Sequence, residues 1–476
     1  MSKNPVTKNL KLIISLLIPI AILFIPVESF GIEGLTIIEK RVIALFVFAT
    51  MFWVSEPIPI YATSVLIIVG ELIMISDKSL VLFVNSENPD LYGSALSYKD
   101  IMGTFASPII LLFLGGFFLA MAATKYRLDQ TLAKIMLKPF GNNPKTVMLG
   151  LMIITAIFSM FMSNTATTAM MLSILAPVLM LFPDGDKGKT AFALSIPVAA
   201  NVGGIGTPIG TPPNAIAMKY LTGANTISFG KWMAFGVPYV IVLLLFGWFL
   251  INMFYPSKEK SIKLEIKAKA LKNRNAQIVY FTFGITIFLW LTDFLHGMNS
   301  YVVAMIPVAV FSASRIITKE DLKKISWDVL WLVSGGIALG LAMEKSGLIV
   351  HLLDSIPFSN YSALLIIGVA SLLALLMANF MSHTATANLL MPLMAALGTS
   401  LQSIADLGGV STIVVTVTLA CSIGMVLPIS TPPNALAHGT GFVKTGEMAR
   451  VGIIVGIVGL LLAFLTVYIL KIINFI

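Results

Sequence analysis

What most constrains this chain is a series of long apolar segments, at 11–28, 41–55, 61–75, 108–124, 235–255, 277–295, 300–315, 328–343 and 450–473. In lipid the backbone has no water to bond, so such segments persist as helices that pair their own N–H and C=O groups. Composition agrees: 57% of the 476 residues are hydrophobic and 11% are charged, too little charge to cover a soluble protein of this length. The chain therefore reads as an all-α polytopic membrane protein. Its first stretch, "MSKNPVTKNLKLIISLLIPIAILFI", has the lysines and apolar run of a signal peptide but no convincing small-x-small cleavage site. It reads as a first transmembrane helix with its basic end inside.

The net charge of +9 does not point to nucleic acid, because much of it lies in one run, "SKEKSIKLEIKAKALKNR". Lys258, Lys260, Lys263, Lys267, Lys269, Lys272 and Arg274 stand there, as in a cytoplasmic loop beside anionic headgroups. Cys421 is alone, so there is no disulfide framework, and the four histidines are too scattered for a metal cluster. Nothing resembles a phosphate-binding loop, which argues against ATP-driven pumping by this chain.

Three markers recur in the same order. "LLFLGGFFLAMA" (111–122) answers "WLVSGGIALGLA" (331–342), "MSNTATTAM" (162–170) answers "MSHTATANL" (381–389), and "GTPPNAIAM" (210–218) answers "STPPNALAH" (430–438). Offsets of 220, 219 and 220 residues mean duplication. The organisation is then an N-terminal helix in 1–40, a first repeat in 41–255, a basic linker in 256–276 and a second repeat in 277–476. With Lys3, Lys8 and Lys11, then Lys125 and Arg127, then the 258–274 run all cytoplasmic, the first repeat enters the membrane from outside and the second from inside. Inverted repeats of this kind place a substrate near the midplane.

Interrupted segments at 146–182, 191–222, 361–398 and 410–440 come in corresponding pairs, the strongest sequence pointer to a secondary transporter's binding site. In "NVGGIGTPIGTPPNA" (201–215) glycine and proline break the helix and free its carbonyls, which can ligate a small hard cation. A restarted helix would aim its N-terminal amides at an anion. "MVLPISTPPNA" (425–435) repeats the device. The Ser-X-Thr tips read as two re-entrant hairpins whose hydroxyls and amides can coordinate Na⁺ or bond a carboxylate. No Lys or Arg falls in either tip or either loop, so an anion would rest on amides, hydroxyls and a neighbouring cation, which makes coupling natural.

The paired tips and Thr-Pro-Pro-Asn loops, over roughly residues 105–440, resemble the divalent anion/sodium symporter family, carriers of succinate, malate, fumarate, citrate or sulfate. The resemblance implies a fold of about eleven transmembrane helices with an inverted repeat, two hairpins and two broken helices. It also implies a homodimer and elevator-type alternating access in the cell (inner) membrane. By position it implies a first Na⁺ site at Ser159, Ser163, Asn164 and Gly210, and anion contacts at Asn164, Thr165, Ser382 and Thr384, with Thr211, Thr431 and Pro432 adjacent. His383 stands where the family has Asn, and Ala378 stands where the first half has Ser159. A second Na⁺ site at Ala378, His383 and Ser430 is thus in question, and His383 becomes either a substrate donor or a cation surrogate.

The remaining singletons read more plainly. Glu56 has a structural or interface role, and His438 is a hydrogen-bonded packing residue. Asp293, His296 and His351 read as helix-end residues, and Trp53, Trp232, Trp327 and Trp331 as interfacial anchors. The leading expectation is a Na⁺-coupled carrier of a small dicarboxylate. Its alternatives are a sodium-independent or proton-assisted exchanger, or a sulfate carrier. An enzyme is disfavoured, because no carboxylate pair, metal-ligand helix motif or oriented Ser/His arrangement is present.

Overall fold

The computed structural model describes residues 5–84, 88–180, 182–183, 185–262 and 269–475. Lys3, Lys263 and Lys267, and the side chain of Lys8, lie outside the described residues. The principal helices of the first half are α1 (Pro5–Phe24), α2 (Ile37–Ser55), α3 (Ile60–Met74), α4 (Pro108–Lys125), α5 (Pro144–Phe161), α6 (Asn164–Leu179), α7 (Lys187–Gly203), α8 (Pro212–Tyr220) and α9 (Phe229–Phe254). Those of the second are α10 (Arg274–Leu291), α11 (Ser300–Ala313), α12 (Trp327–Lys345), α13 (Ala363–Phe380), α14 (His383–Ser400), α15 (Gly409–Ser422), α16 (Pro432–Gly439) and α17 (Thr445–Ile472).

Among the described residues the fold is all-helical apart from an isolated bridge between Ser76 and Leu96. Among the described residues six helical stretches are long and apolar enough to cross a membrane: Tyr98–Lys125, which ends in α4, Pro144–Phe161, Phe229–Phe254, Trp327–Lys345, Ala363–Phe380 and Thr445–Ile472. On α17 the side chains of Ile453, Ile457, Leu461 and Leu465 stand exposed at four-residue spacing, as a lipid-facing stripe requires. The polar residues go the other way: Thr155, Ser159, Asn201, Thr207, Asn214 and Asn434 are all buried.

Two compact units divide the chain, and each takes segments from both repeats. The first comprises Met1–Ile110, Ser326–Ala370 and Thr384–Val417; the second comprises Leu111–Ile325, Ser371–His383 and Thr418–Ile476. In the first, Arg41 donates to the carbonyls of Met74 and Phe83, and Glu39 completes a capping box with Thr36. The paired-glycine markers have a packing reason in each unit. A Cβ on Gly335 would run into Ser64 of α3, and one on Gly115 would run into the Ala304 backbone of α11.

Two expectations are corrected. Trp53 and Trp232 are not interfacial anchors but fully buried, their indole N–H groups donating to the carbonyls of Ile60 and Ile205. A buried indole needs such an acceptor, so these rings fix backbone inside the protein. His351 lies within the helix Leu348–Ser355, and its Nδ1 is 2.8 Å from the buried Glu39 carboxylate. Glu56 terminates α2 with a left-handed backbone (φ 47°), a structural role.

Candidate functional site

Each interrupted segment is a helix broken at the expected place. In the first half α5 ends at Phe161 and α6 begins at Asn164, and Ser163 caps α6 by accepting from the Ala166 N–H at 3.2 Å. In the second, α13 ends at Phe380 and α14 begins at His383. The loops 204–211 and 423–431 separate α7 from α8 and α15 from α16. Both tips as far as His383, and both loops, belong to the second unit, while Thr384 opens a segment of the first.

The first tip and its loop meet in a cluster of oxygens. Ser159 Oγ lies 2.6 Å from Asn164 Oδ1 and 2.7 Å from the Ala200 carbonyl. A Cβ built on Gly204 would stand 2.7 Å from Asn164 Oδ1 and 2.9 Å from the Gly210 carbonyl, and one on Gly210 would collide with the Gly204 carbonyl. Two glycines are therefore needed for Asn164 Oδ1 and the two carbonyls to converge. The structure brings together Ser159, Asn164 and Gly210 of the expected set, with Ser163 at the same tip. It adds the carbonyls of Gly204, signalled in the sequence only as part of a glycine-rich run, and of Ala200, which lies just before that run.

Loop carbonyls freed by the helix break are held by the asparagines of the TPPN stretches. Asn214 Nδ2 lies 3.0 Å from the Ile205 carbonyl and 2.9 Å from that of Thr207. Asn434 Nδ2 reaches those of Met425 and Leu427 at 2.8 and 3.0 Å. Each loop is also tied to its own tip, by the Thr207 hydroxyl on the Met160 carbonyl and by Ser430 Oγ on the Asn379 carbonyl at 2.8 Å. Met160 and Asn379 correspond in the repeat, so the same tie is made from two different loop positions. None of Asn214, Asn434, Thr207 or Asn379 was singled out by sequence reasoning, because each bonds backbone that only the break exposes.

The second half departs at its centre. His383, in Asn164's place, puts Nε2 2.6 Å from the carbonyl of Gly424, the counterpart of Gly204. A carbonyl only accepts, so Nε2 carries the proton. Gly424 packs on Ala378, whose β-carbon replaces the Ser159 hydroxyl. Ser430 Oγ is engaged with Asn379 and with the Leu427 N–H. In the first half the Gly204 carbonyl takes only a long contact from Asn214 Nδ2, at 3.4 Å, whereas the second half sets a short ring N–H on the corresponding carbonyl.

The restarted helices differ from the sequence expectation too. Pro212–Pro213 and Pro432–Pro433 fill the first two positions of α8 and α16. Proline has no N–H, so those helix starts keep only their later amides. The N-cap residues Thr211 and Thr431 are both buried. Thr165 is exposed and Ser382 half-buried on their tips.

An all-helical membrane protein with paired broken helices, paired tips and a convergent cluster of carbonyl, amide and hydroxyl oxygens is built as a transporter. The chain belongs to the family "Sodium:sulfate symporter transmembrane region", which it matches over residues 6–473. It is 31% identical over 467 residues to a sodium-dependent dicarboxylate transporter, SdcS, of Staphylococcus saprophyticus, covering 90% of this chain and 85% of that protein. An uncharacterised transporter of Schizosaccharomyces pombe is 30% identical over 460 residues, covering 92% of this chain and 50% of that one. Among solved structures the Alcanivorax borkumensis YdaH transporter aligns with a TM-score of 0.54 at 12% identity, over 78% of this chain and 86% of that one, a likeness of fold alone.

Proposed function

We propose that this protein is a secondary active transporter that carries a small divalent anion together with Na⁺, the anion being a C4-dicarboxylate such as succinate, malate or fumarate. The observation that carries the reading is the cluster at Asn164, Gly204 and Gly210, with Ser159 and Ser163 beside it. Na⁺ is a hard cation that takes oxygen ligands, and this donor set is made of them. The anion rests on Asn164 and Thr165 at one tip, Ser382 at the other, and the Thr211 and Thr431 hydroxyls with Pro432 alongside. Lacking a cationic side chain there, it takes its positive charge from the bound Na⁺, so each ligand raises the affinity of the other. The name of the staphylococcal relative supports both the ion and the substrate class. Inverted topology, elevator-type movement, a homodimer and a cell-membrane location complete the proposal.

A second reading follows from one observation. With the His383 N–H on the Gly424 carbonyl, the second cation position is served by the protein itself, which favours coupling to fewer Na⁺ or proton-assisted or sodium-independent exchange. Sulfate uses the same kinds of donor and is the alternative cargo.

Purified protein in proteoliposomes decides. Saturable succinate uptake that requires an inward Na⁺ gradient is expected. Trans-stimulated uptake without Na⁺ selects the exchanger, and competition by sulfate above succinate selects the other cargo. Unsaturable or absent uptake of every dianion tried ends the proposal.

A further inference from the structure

Thr431 is the N-cap of α16, and the orientation of its hydroxyl follows from a chain of hydrogen bonds with only one consistent assignment. Asn434 Nδ2 faces two carbonyls, Met425 and Leu427, so its Oδ1 must point the other way. That Oδ1 lies 3.1 Å from the side-chain nitrogen of Asn201, which must therefore be the amide donor. The same Nδ2 reaches Thr431 Oγ1 at 3.1 Å. The Asn434 backbone N–H reaches that oxygen as well, at 3.2 Å. A hydroxyl oxygen accepts two hydrogen bonds, and both places on Thr431 are taken. Its own proton has no acceptor among the described residues, although Thr431 is only 4% exposed.

The other half lacks this arrangement. The repeat offset that relates Thr211 to Thr431 relates Asn201 to Cys421, and a thiol is a poor donor. Accordingly Thr211 makes no side-chain cap bond, and Asn214 Oδ1 is buried without a partner. Asn201 leaves its own Oδ1 buried and unpaired. A side chain placed for packing alone would not carry that penalty, so what the site uses is the Nδ2 donor pair.

We propose that Asn201 is a positioning residue that fills the acceptor capacity of Thr431 and so commits the Thr431 hydroxyl proton to the transported anion. The proposal rests on the reading of Thr431 as an anion contact. It assigns the two loops unequal roles: the second reads the anion with an oriented donor, and the first with a free rotor. Because prolines remove the first two amides of α16, this hydroxyl is the donor that its helix start presents.

The test is dianion uptake by proteoliposomes of wild type, Asn201→Cys, Asn201→Ala, Thr431→Val and Thr431→Ser, with thermal stability measured on each. Asn201→Cys puts there the residue that the other repeat carries. It is expected to raise KM for succinate about threefold to tenfold, the effect of one neutral hydrogen bond, with Vmax within about twofold. Half-saturation by Na⁺ at saturating succinate should not move. Thr431→Ser should keep KM near wild type, and Thr431→Val should raise it. In the Thr431→Val background, Asn201→Cys should add nothing further. Unchanged KM in Asn201→Cys, or an effect that persists in full without the Thr431 hydroxyl, overturns the proposal. If Thr431→Val itself leaves KM unchanged, the proposal falls together with the Thr431 contact, whereas Na⁺-driven uptake in the same vesicles shows that the transporter reading stands. Should Asn201→Ala misfold, the cysteine variant carries the test.

Discussion

His383 Nε2 donates to the Gly424 carbonyl at 2.6 Å, at the position where the first repeat instead brings Asn164 Oδ1 beside Gly204. The two halves share a backbone plan and differ in what they hold at its centre, an oxygen cluster in one and a built-in N–H in the other. Coupling stoichiometry is where that difference should appear.

His383→Asn returns an oxygen to the second half. Uptake is expected to depend more steeply on Na⁺, with a Hill coefficient rising from about 1 toward 2. Na⁺ titrations of wild type and variant at fixed succinate and pH measure it; superimposable curves would remove His383 from the coupling mechanism.

Asn164→Ala should abolish uptake without unfolding the protein. Ser163 still caps α6 and Ser159 still bonds the Ala200 carbonyl, while the oxygen that the proposal assigns to both cation and anion is gone. Uptake near wild type from a well-expressed variant would take Asn164 out of the site.

Gly204→Ala tests the cluster itself. The added carbon would stand 2.7 Å from Asn164 Oδ1 and 2.9 Å from the Gly210 carbonyl, closer than carbon approaches oxygen, so the oxygens must separate. Half-saturation by Na⁺ is expected to rise about tenfold or more, the effect of roughly 1.4 kcal/mol. Retained Na⁺ affinity would show that the carbonyls are not ligands.

Asp321, between α11 and α12, serves stability. Burial works to raise its pKa, but hydrogen bonds from Lys125 and from the Thr318 N–H and hydroxyl outweigh it and hold the carboxyl at about 2. A carboxyl depressed in the folded state stabilises above its unfolded pKa of about 3.9 and loses that contribution as pH falls through the folded value. Asp321→Asn should therefore lower the melting temperature at pH 7, by the equivalent of about 1–3 kcal/mol, with a smaller gap between variant and wild type below pH ~4. Equal melting temperatures at pH 7 would deny the Lys125–Asp321 pair any role.

Topology can be read from a cysteine at Ser261 in a Cys421→Ala background, since the native thiol is buried. Ser261 is exposed and should resist an impermeant reagent applied outside intact cells. Labelling from outside would reverse the orientation and undo the inverted-repeat proposal.

Much of this protein is written along its chain. Apolar segments of spanning length and paired glycine–proline breaks are local features, and both act locally: one keeps helices in lipid, the other ends them at 161–164, 203–212, 380–383 and 422–432. The repeat offset by itself pairs Asn164 with His383, and Ser159 with Ala378. Which atoms meet was another matter. Once a helix is broken its carbonyls accept from whatever donor the fold supplies, and sequence spacing does not contain that donor's address. Only the tertiary structure set Trp232 on the Ile205 carbonyl rather than at a membrane interface, and put Asn214 and Asn434 on the freed loop backbone. The same holds for Asn201 beside Thr431, 230 residues away, where burial leaves each polar group to find its partner across the fold or go without.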